Sequence, residues 1–499
     1  MKHILKYVFI VVGVILFMSS GNAQGEMLTD VISHVLQTNP EVNQLKYTRM
    51  AKDQEVVQAK GGYFPTLDVS AGLGLRDQDR PYNDRTWPES ASVKLRQNLF
   101  HFGATKAEVR RQKARSKSDA YLLQGTSENV ALKTARVYLN VLRSLELREL
   151  AKENLTNHER IADQMKLRSK SGVDRKADFD QVMGRLSLAQ SNIVTTTANI
   201  RDAITDYEAV VGRSPENLDK TLPLEKFIPT SMEEAEQFAV RNYPIVKSAK
   251  ADIKAREAQY EFAKRIVYPS LDIAVDYTWE RDMYPNVGRY DYLSATAIVS
   301  FNIFNGFRNK GRIQETKLLI GEAKEILNNT ERQTIQSVRL SWEAYRAARE
   351  RVAYLEEYVR STEATAIAFA AQWNIGRRTM FDLLDTQAEY INAKSDLVKA
   401  RYDQTYAEYR ILSGMGKLVH TMGLKWPEEG ELDMEPEDAK TPPSIPMQQS
   451  ASSAAATPQA SAPVAQETAA PVTDAIPVAQ AAEIPAQQNA PATDTPQAK

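Results

Sequence analysis

Not one cysteine occurs in the 499 residues. That excludes a disulfide framework, a thiolate metal centre, a cysteine nucleophile and lipid attachment at an N-terminal cysteine. Histidine is nearly as scarce. The five, at positions 3, 34, 101, 158 and 420, lack metal-ligand spacing and read as buried or surface residues. No Gly-x-x-x-x-Gly-Lys-Ser/Thr loop is present, so energy for any transport must come from a partner. Neither sign of charge dominates (63 basic against 64 acidic residues), and no basic face marks a nucleic-acid partner. The apolar run from Tyr7 to Met18 falls short of the roughly 20 residues that a membrane-spanning helix needs. Preceded by Lys2, His3 and Lys6 and followed by Ser19-Ser20-Gly21-Asn22-Ala23, it reads as a signal peptide over residues 1–23 and implies export. No catalytic constellation of histidine, serine or paired carboxylates stands out, so an enzyme is not expected, and no cofactor or resident metal is.

Proline is missing, and glycine nearly so, from Ala104 to Lys170. Within this stretch Ala131, Ala135, Tyr138, Leu142 and Leu145 recur at helical spacing, so the 67 residues predict a helix about 100 Å long at ~1.5 Å per residue. A globular core cannot cover such a length, and a coiled coil is the expected solution. After Gly172, Phe179, Leu186, Ile193, Ile200 and Tyr207 fall seven apart, the pattern of a helix returning alongside the first. The return leg is half as long as the outgoing one. A further helix, about Met232 to Ile266, must therefore stack end to end with it, leaving the proline-rich 213–231 at mid-height.

The chain is also a duplication with an offset of 204 residues. Pro40 pairs with Pro244, Tyr63-Phe64-Pro65-Thr66-Leu67-Asp68 with Val267-Tyr268-Pro269-Ser270-Leu271-Asp272, and Asn98-Leu99-Phe100 with Asn302-Ile303-Phe304. Gly172 pairs with Gly376, Asp178 with Asp382 and Gly212 with Gly416. Internal repeats of this kind set the architecture. The expected divisions are a first repeat over 24–230, with strands at about 66–75 and 91–100 and a hairpin tip near 172. A second repeat follows over 231–427, with strands at about 270–279 and 292–304 and a tip near 376. An Ala/Pro/Gln-rich tail over 428–499 lacks aromatics and is expected to be disordered.

Each strand alternates. Leu67, Val69, Ala71 and Leu73 oppose Asp68, Ser70, Gly72 and Gly74; in the second repeat Leu271, Ile273, Val275, Tyr277 and Trp279 form one face. Strands of about ten residues with one apolar and one polar face suit a membrane barrel with a wet lumen, or else a half-buried sheet of a soluble domain. In the barrel reading, four strands cannot close, because an open edge cannot face lipid. Two chains supply eight strands and three supply twelve.

These features together resemble the TolC family of outer-membrane channel proteins over roughly Met27 to Trp426. The resemblance is carried by Pro65 and Pro269 before the strands, by the Asn98 and Asn302 motifs after them, and most specifically by Gly376-Arg377-Arg378-Thr379-Met380-Phe381-Asp382-Leu383-Leu384-Asp385. It implies a mainly α fold with transmembrane β: a trimeric twelve-stranded β-barrel in outer-membrane lipid, and a long α-helical coiled-coil tunnel crossing the periplasm to closed hairpin tips. Ala59-Lys60-Gly61-Gly62-Tyr63-Phe64-Pro65, Gly125-Thr126-Ser127-Glu128-Asn129, Asn157-His158-Glu159-Arg160-Ile161 and Gly414-Met415-Gly416-Lys417-Leu418 look like the branch that exports large proteins by type I secretion. The implied partners are two further copies of the chain, a periplasmic membrane-fusion adaptor, and an inner-membrane ABC transporter, or an RND pump if the cargo is a drug. The alternatives are a drug-efflux channel of the same build and a pore-less periplasmic coiled-coil adaptor.

From the residues alone, Asp178, Asp382 and Asp385 read as carboxylates favouring helix N-termini, worth about 0.3–1 kcal/mol each. The resemblance implies more. Asp382 and Asp385, three apart on one helix face, would form a cation ring at the constriction. Arg378 would link the two hairpins through Asp178. Trp373 stands where the family often has a tyrosine in that link, and an indole accepts no hydrogen bond.

Overall fold

The computed structural model describes residues 25–78, 84–170, 176–221, 223–283 and 288–432. The signal segment, the first hairpin turn around Gly172 and the tail from 433 onward lie outside the described residues.

Helices α1 (Leu28–Thr38) and α2 (Pro40–Gly61) are broken at Asn39, whose side chain accepts from the Glu41 amide at 2.9 Å while Pro40 fixes the first helical turn. Strand β1 (Thr66–Leu73) follows, then a short hairpin of β2 (Arg76–Gln78) and β3 (Asp84–Thr86), and β4 (Glu89–Phe100). The long helix α3 (Ala104–Lys170) and its return α4 (Lys176–Val211) complete the first repeat. The second repeat runs α5 (Met232–Asn242), α6 (Pro244–Arg265), β5 (Ser270–Arg281), β6 (Arg289–Ser300), α7 (Arg308–Asn374) and α8 (Met380–Gly414), with a last turn α9 at Leu418–Thr421. The duplication is kept to the residue: helix starts at 28, 40, 104 and 176 recur at 232, 244, 308 and 380. Both long helices have 67 residues. The helix expected over Met232 to Ile266 is thus two, because Pro244 lacks the N–H to continue α5 and starts α6 instead.

The four main strands form one antiparallel sheet in the order β1-β4-β5-β6. Its register explains the alternation. Leu67 faces Leu95, Val69 faces Val93, Val93 faces Tyr277, Leu95 faces Val275, and Val275 faces Ala295, so one side is continuously apolar. The other side carries Asp68 opposite Lys94, Lys94 opposite Asp276, and Ser70 opposite Ser92. There Arg96 and Asn98 both reach the buried Asp272 carboxylate, at 3.2 and 3.0 Å. Strand ends differ from the expected ones for a physical reason. β1 stops at Leu73 because Gly74 then faces Pro88, and β6 stops at Ser300, opposite Ser270, because Pro269 cannot donate to a further rung. The connection between β1 and β4 contains the β2–β3 hairpin.

Exposed aromatics mark both ends of the sheet. Phe100, Phe102 and Tyr268 stack at 4.8 and 5.1 Å beside the helices, and Trp87, Tyr290 and Tyr292 stand at the far end. On the apolar face, Leu293 to Phe301 is nine residues, about 30 Å of strand, which a tilt of about 40° brings close to the ~25 Å of a membrane band. The strand-to-helix turns repeat too. Phe102 and Gly103 have φ of +46° and +77°, and their counterparts Gly306 and Phe307 both have +65°, so two consecutive left-handed residues swing each strand into its long helix.

The helices bury three clusters rather than one core. Around mid-height, Val31, Ile32 and Val35 of α1 pack on Val130, Ala131, Ala135 and Tyr138 of α3, with Leu412 of α8 and Leu418 of α9. Ala235 and Ala239 of α5 pack in the same way on Val338 and Tyr345 of α7. The third cluster lies near the tips.

The expected start of the tail at 428 is corrected. Glu428–Gly430 forms a turn docked on α2 and α3: Gly430 is buried, its carbonyl accepts from Gln124 at 2.6 Å, and Glu429 pairs with Lys46 at 2.8 Å. The anchor is Glu128, fully buried on α3, which accepts from the amides of Leu418 and Val419 and from the Trp426 indole at 2.9–3.3 Å. Stopping the chain after 432 should therefore leave assembly intact, whereas stopping after Lys417 should strand a buried carboxylate and abolish it; size-exclusion profiles of the two truncations check this.

Burial pushes the Glu128 carboxyl up to about 7, against the three hydrogen bonds that favour its ionised form. A carboxyl raised on folding contributes most below its unfolded value of 4.5, and that stability is lost as pH rises through about 7. Melting midpoints measured between pH 4.5 and 7.5 should show this decline, and Glu128→Gln should flatten it.

Candidate functional site

Two helical hairpins, α3–α4 and α7–α8, lie side by side, and the residues that the sequence singles out gather at their ends. The second turn is fully described. Gly376 takes φ +74°, its amide bonds the Trp373 carbonyl at 2.9 Å, and the Arg377 amide bonds that of Gln372 at 2.9 Å, so α7 ends in a Schellman motif. Thr379 and Asp382 then open α8 with a capping box. The Asp382 amide donates to the Thr379 hydroxyl at 3.2 Å, and the carboxylate accepts from the Thr379 hydroxyl and amide at 2.9 and 3.3 Å. These bonds, with Arg378 beyond them, hold the Asp382 carboxyl below the usual range, so it is ionised at neutral pH.

Arg378 does not join Asp178 within the chain. Its guanidinium is taken up by its own turn, donating to Gln372 at 3.0 Å, standing 3.8 Å from Asp382 and lying 4.1 Å over the Phe369 ring. Partners four to nine residues away compete with little loss of chain entropy, which is why the local contacts win. Asp178, in the first turn of α4, has no ion pair among the described residues.

The contact between hairpins is made by other residues. Arg185 of α4 donates to Asp385 of α8 at 2.9 Å. Trp373 is buried among Ile161 and Met165 of α3, Val182 of α4, and Met380, Leu383 and Leu384 of α8. The Arg168 guanidinium of α3 sits 5.3 Å above its ring, so Trp373 links the hairpins through its π face, where its hydrogen-bonding limits do not matter. Higher up the same seam, Lys394 pairs with Glu153 at 2.8 Å, Tyr402 donates to Glu146 at 3.0 Å, and Arg143 stands 3.7 Å from Asp403.

Sequence reasoning missed Arg185, Arg168 and Glu153. A signal existed: in an antiparallel hairpin, residues equidistant from the tip lie at one height. Arg185, 13 after Gly172, and Asp385, 9 after Gly376, are near-neighbours by that count.

Among the described residues, no three His, Cys, Asp or Glu cluster as a metal site, and no helix is long and apolar enough to cross a membrane. An apolar-faced antiparallel sheet with aromatic ends, carried on paired helices of about 100 Å, defines a membrane-channel protein whose sheet spans the bilayer and whose helices extend beyond it.

Comparison with known proteins agrees. The outer membrane efflux protein family matches residues 31–213 and 237–417, and the chain belongs to that family. It is 24% identical to outer membrane protein TolC of Escherichia coli over 432 residues, covering 82% of this chain and 86% of TolC. It is 21% identical to outer membrane efflux protein BepC of Brucella suis (80% and 87% covered) and 22% identical to proteases secretion protein PrtF of Dickeya chrysanthemi (80% and 91%). The fold matches the CmeC outer membrane channel of Campylobacter jejuni with a TM-score of 0.69 at 14% identity, over 78% of this chain and 86% of that one. The protein is thus a TolC-like outer-membrane efflux or secretion channel, with its helical body in the periplasm.

Proposed function

We propose that the protein is the outer-membrane exit duct of a type I secretion system, conducting proteins handed to it by an inner-membrane ABC transporter through a periplasmic adaptor. The observation that carries the conduit reading is the four-stranded sheet with an apolar outer face and two unpaired edges, β1 and β6, in the single chain. Three copies close it into twelve strands and bring six hairpins to one end. Secretion is favoured over drug efflux by the stretches that resemble the secretion branch and by PrtF, a relative named for secretion, against the efflux relative BepC. Deleting the gene should remove one or more large proteins from the culture medium and leave sensitivity to lipophilic drugs unchanged. The reverse pattern would assign the duct to an efflux pump.

At the tips, each copy contributes Asp382 and Asp385 to a ring of six carboxylates. Because Arg185 already neutralises Asp385, block by multivalent cations from the periplasmic side resides chiefly on Asp382. Asp178, which has no ion pair among the described residues, would then meet Arg378 of a neighbouring copy. Bilayer recordings test both points. Asp382→Ala should relieve the block more than Asp385→Ala, and Arg378→Ser and Asp178→Ala should raise conductance without adding in the double variant. Unchanged conductance in both would confine Arg378 to its own turn.

A further inference from the structure

One polar ring in the seam takes no part in the contacts between the hairpins described above. His158 lies on α3 between the Glu153–Lys394 pair and the Trp373 cluster, and only 5% of it is exposed. Its Nδ1 is buried and finds no hydrogen-bond partner among the described residues. The charged group whose field reaches it is Arg185 of α4, the residue that holds Asp385. From α8 the nearby charges are Asp385, beyond Arg185, and Lys394, which Glu153 of α3 occupies. α7 brings Ala370 and Trp373 to this cluster.

We propose that His158 is a proton-operated release for the seam: its neutral ring leaves Arg185 on Asp385, and its protonation loosens α3 from α4 and α8 in mildly acidic surroundings. Three features of the site work in that direction. An imidazolium must carry a proton on Nδ1, where nothing accepts it. It must be charged while removed from water, and it stands beside a guanidinium. The only relief is movement of α3 away from α4 and α8, which hydrates the ring and separates it from Arg185. Burial first, and Arg185 second, hold the His158 pKa below its ordinary value of 6.5. A histidine depressed in the packed state leaves the packing at full strength above 6.5 and weakens it as pH falls below that value. The Arg185–Asp385 pair is partly in solvent and therefore weak, so a competing charge beside it is enough to displace it. The functional consequence rests on the duct reading, since opening the seam matters only if the tips close a pore.

The test reads the seam first and the pore second. Backbone hydrogen–deuterium exchange is followed on the detergent-solubilised full chain at pH 7.5 and 5.5, corrected for intrinsic exchange. In the wild type, peptides covering 150–166 and 381–392 should exchange at least three-fold faster at the lower pH while those covering 128–142 do not change; His158→Gln should abolish the difference. An unchanged wild-type seam, or the same response in His158→Gln, would overturn the proposal. Should that variant fail to fold, the wild type decides alone, because a response spread equally over 128–142 would also overturn it. Bilayer conductance is then recorded at both pH values. Seam loosening without a rise in conductance would uphold the switch and contradict closure of the pore by the tips.

Discussion

Replacing Val275 with arginine should abolish assembly of the protein in the outer membrane. Val275 lies midway along β5, on the face shared with Leu95 and Ala295. On a lipid-facing strand an arginine near the bilayer midplane costs about 2–4 kcal/mol, and three copies together cost roughly 6–12 kcal/mol, comparable to the whole stability of an ordinary domain. Ser294→Arg is the control. Ser294 pairs with Asp276 on the opposite face, where a cation meets water and a carboxylate. Heat-modified gel mobility of outer-membrane fractions should show the assembled form for Ser294→Arg and none for Val275→Arg. Equal assembly of both would mean that the apolar face does not meet lipid.

The second large effect is expected at the seam. Arg185→Ser and Asp385→Ala remove the same contact, so each should raise single-channel conductance and the double variant should exceed neither. One partly exposed pair contributes little, about 0.5–1 kcal/mol. Three copies acting on one closed state sum to roughly 1.5–3 kcal/mol, a shift of about ten- to a hundred-fold in the closed-to-open ratio. Conductance at the wild-type level in both single variants would make the pair incidental to closure.

How much of this was legible before the structure depended on whether a feature is local. The turn at Gly376 was, because a glycine acts on the backbone beside it, whereas the break at Pro244 was missed and one helix was expected across it. The faces of the strands were, since alternation needs no knowledge of the neighbouring strand. Partners across the seam were not. Periodicity places Arg185 on a helix face but does not say which of several carboxylates it meets, and Arg378 shows how a cation chooses the acceptors of its own turn over a distant one. The docked segment at 418–430 was hidden for a related reason. Its hold is one buried glutamate, Glu128, receiving two backbone amides and an indole, and backbone donors leave no mark in a sequence. Trp373 was noticed for its lack of an acceptor, whereas its ring face made the contact.

The central claim is that several copies of this chain close a membrane pore that one copy cannot. The most direct measurement is the mass of the particle extracted from outer membranes in detergent, read by light scattering with the detergent contribution subtracted. The account predicts three chains per particle and aggregation when detergent is withdrawn. A monodisperse single chain, soluble in buffer without detergent, would contradict it.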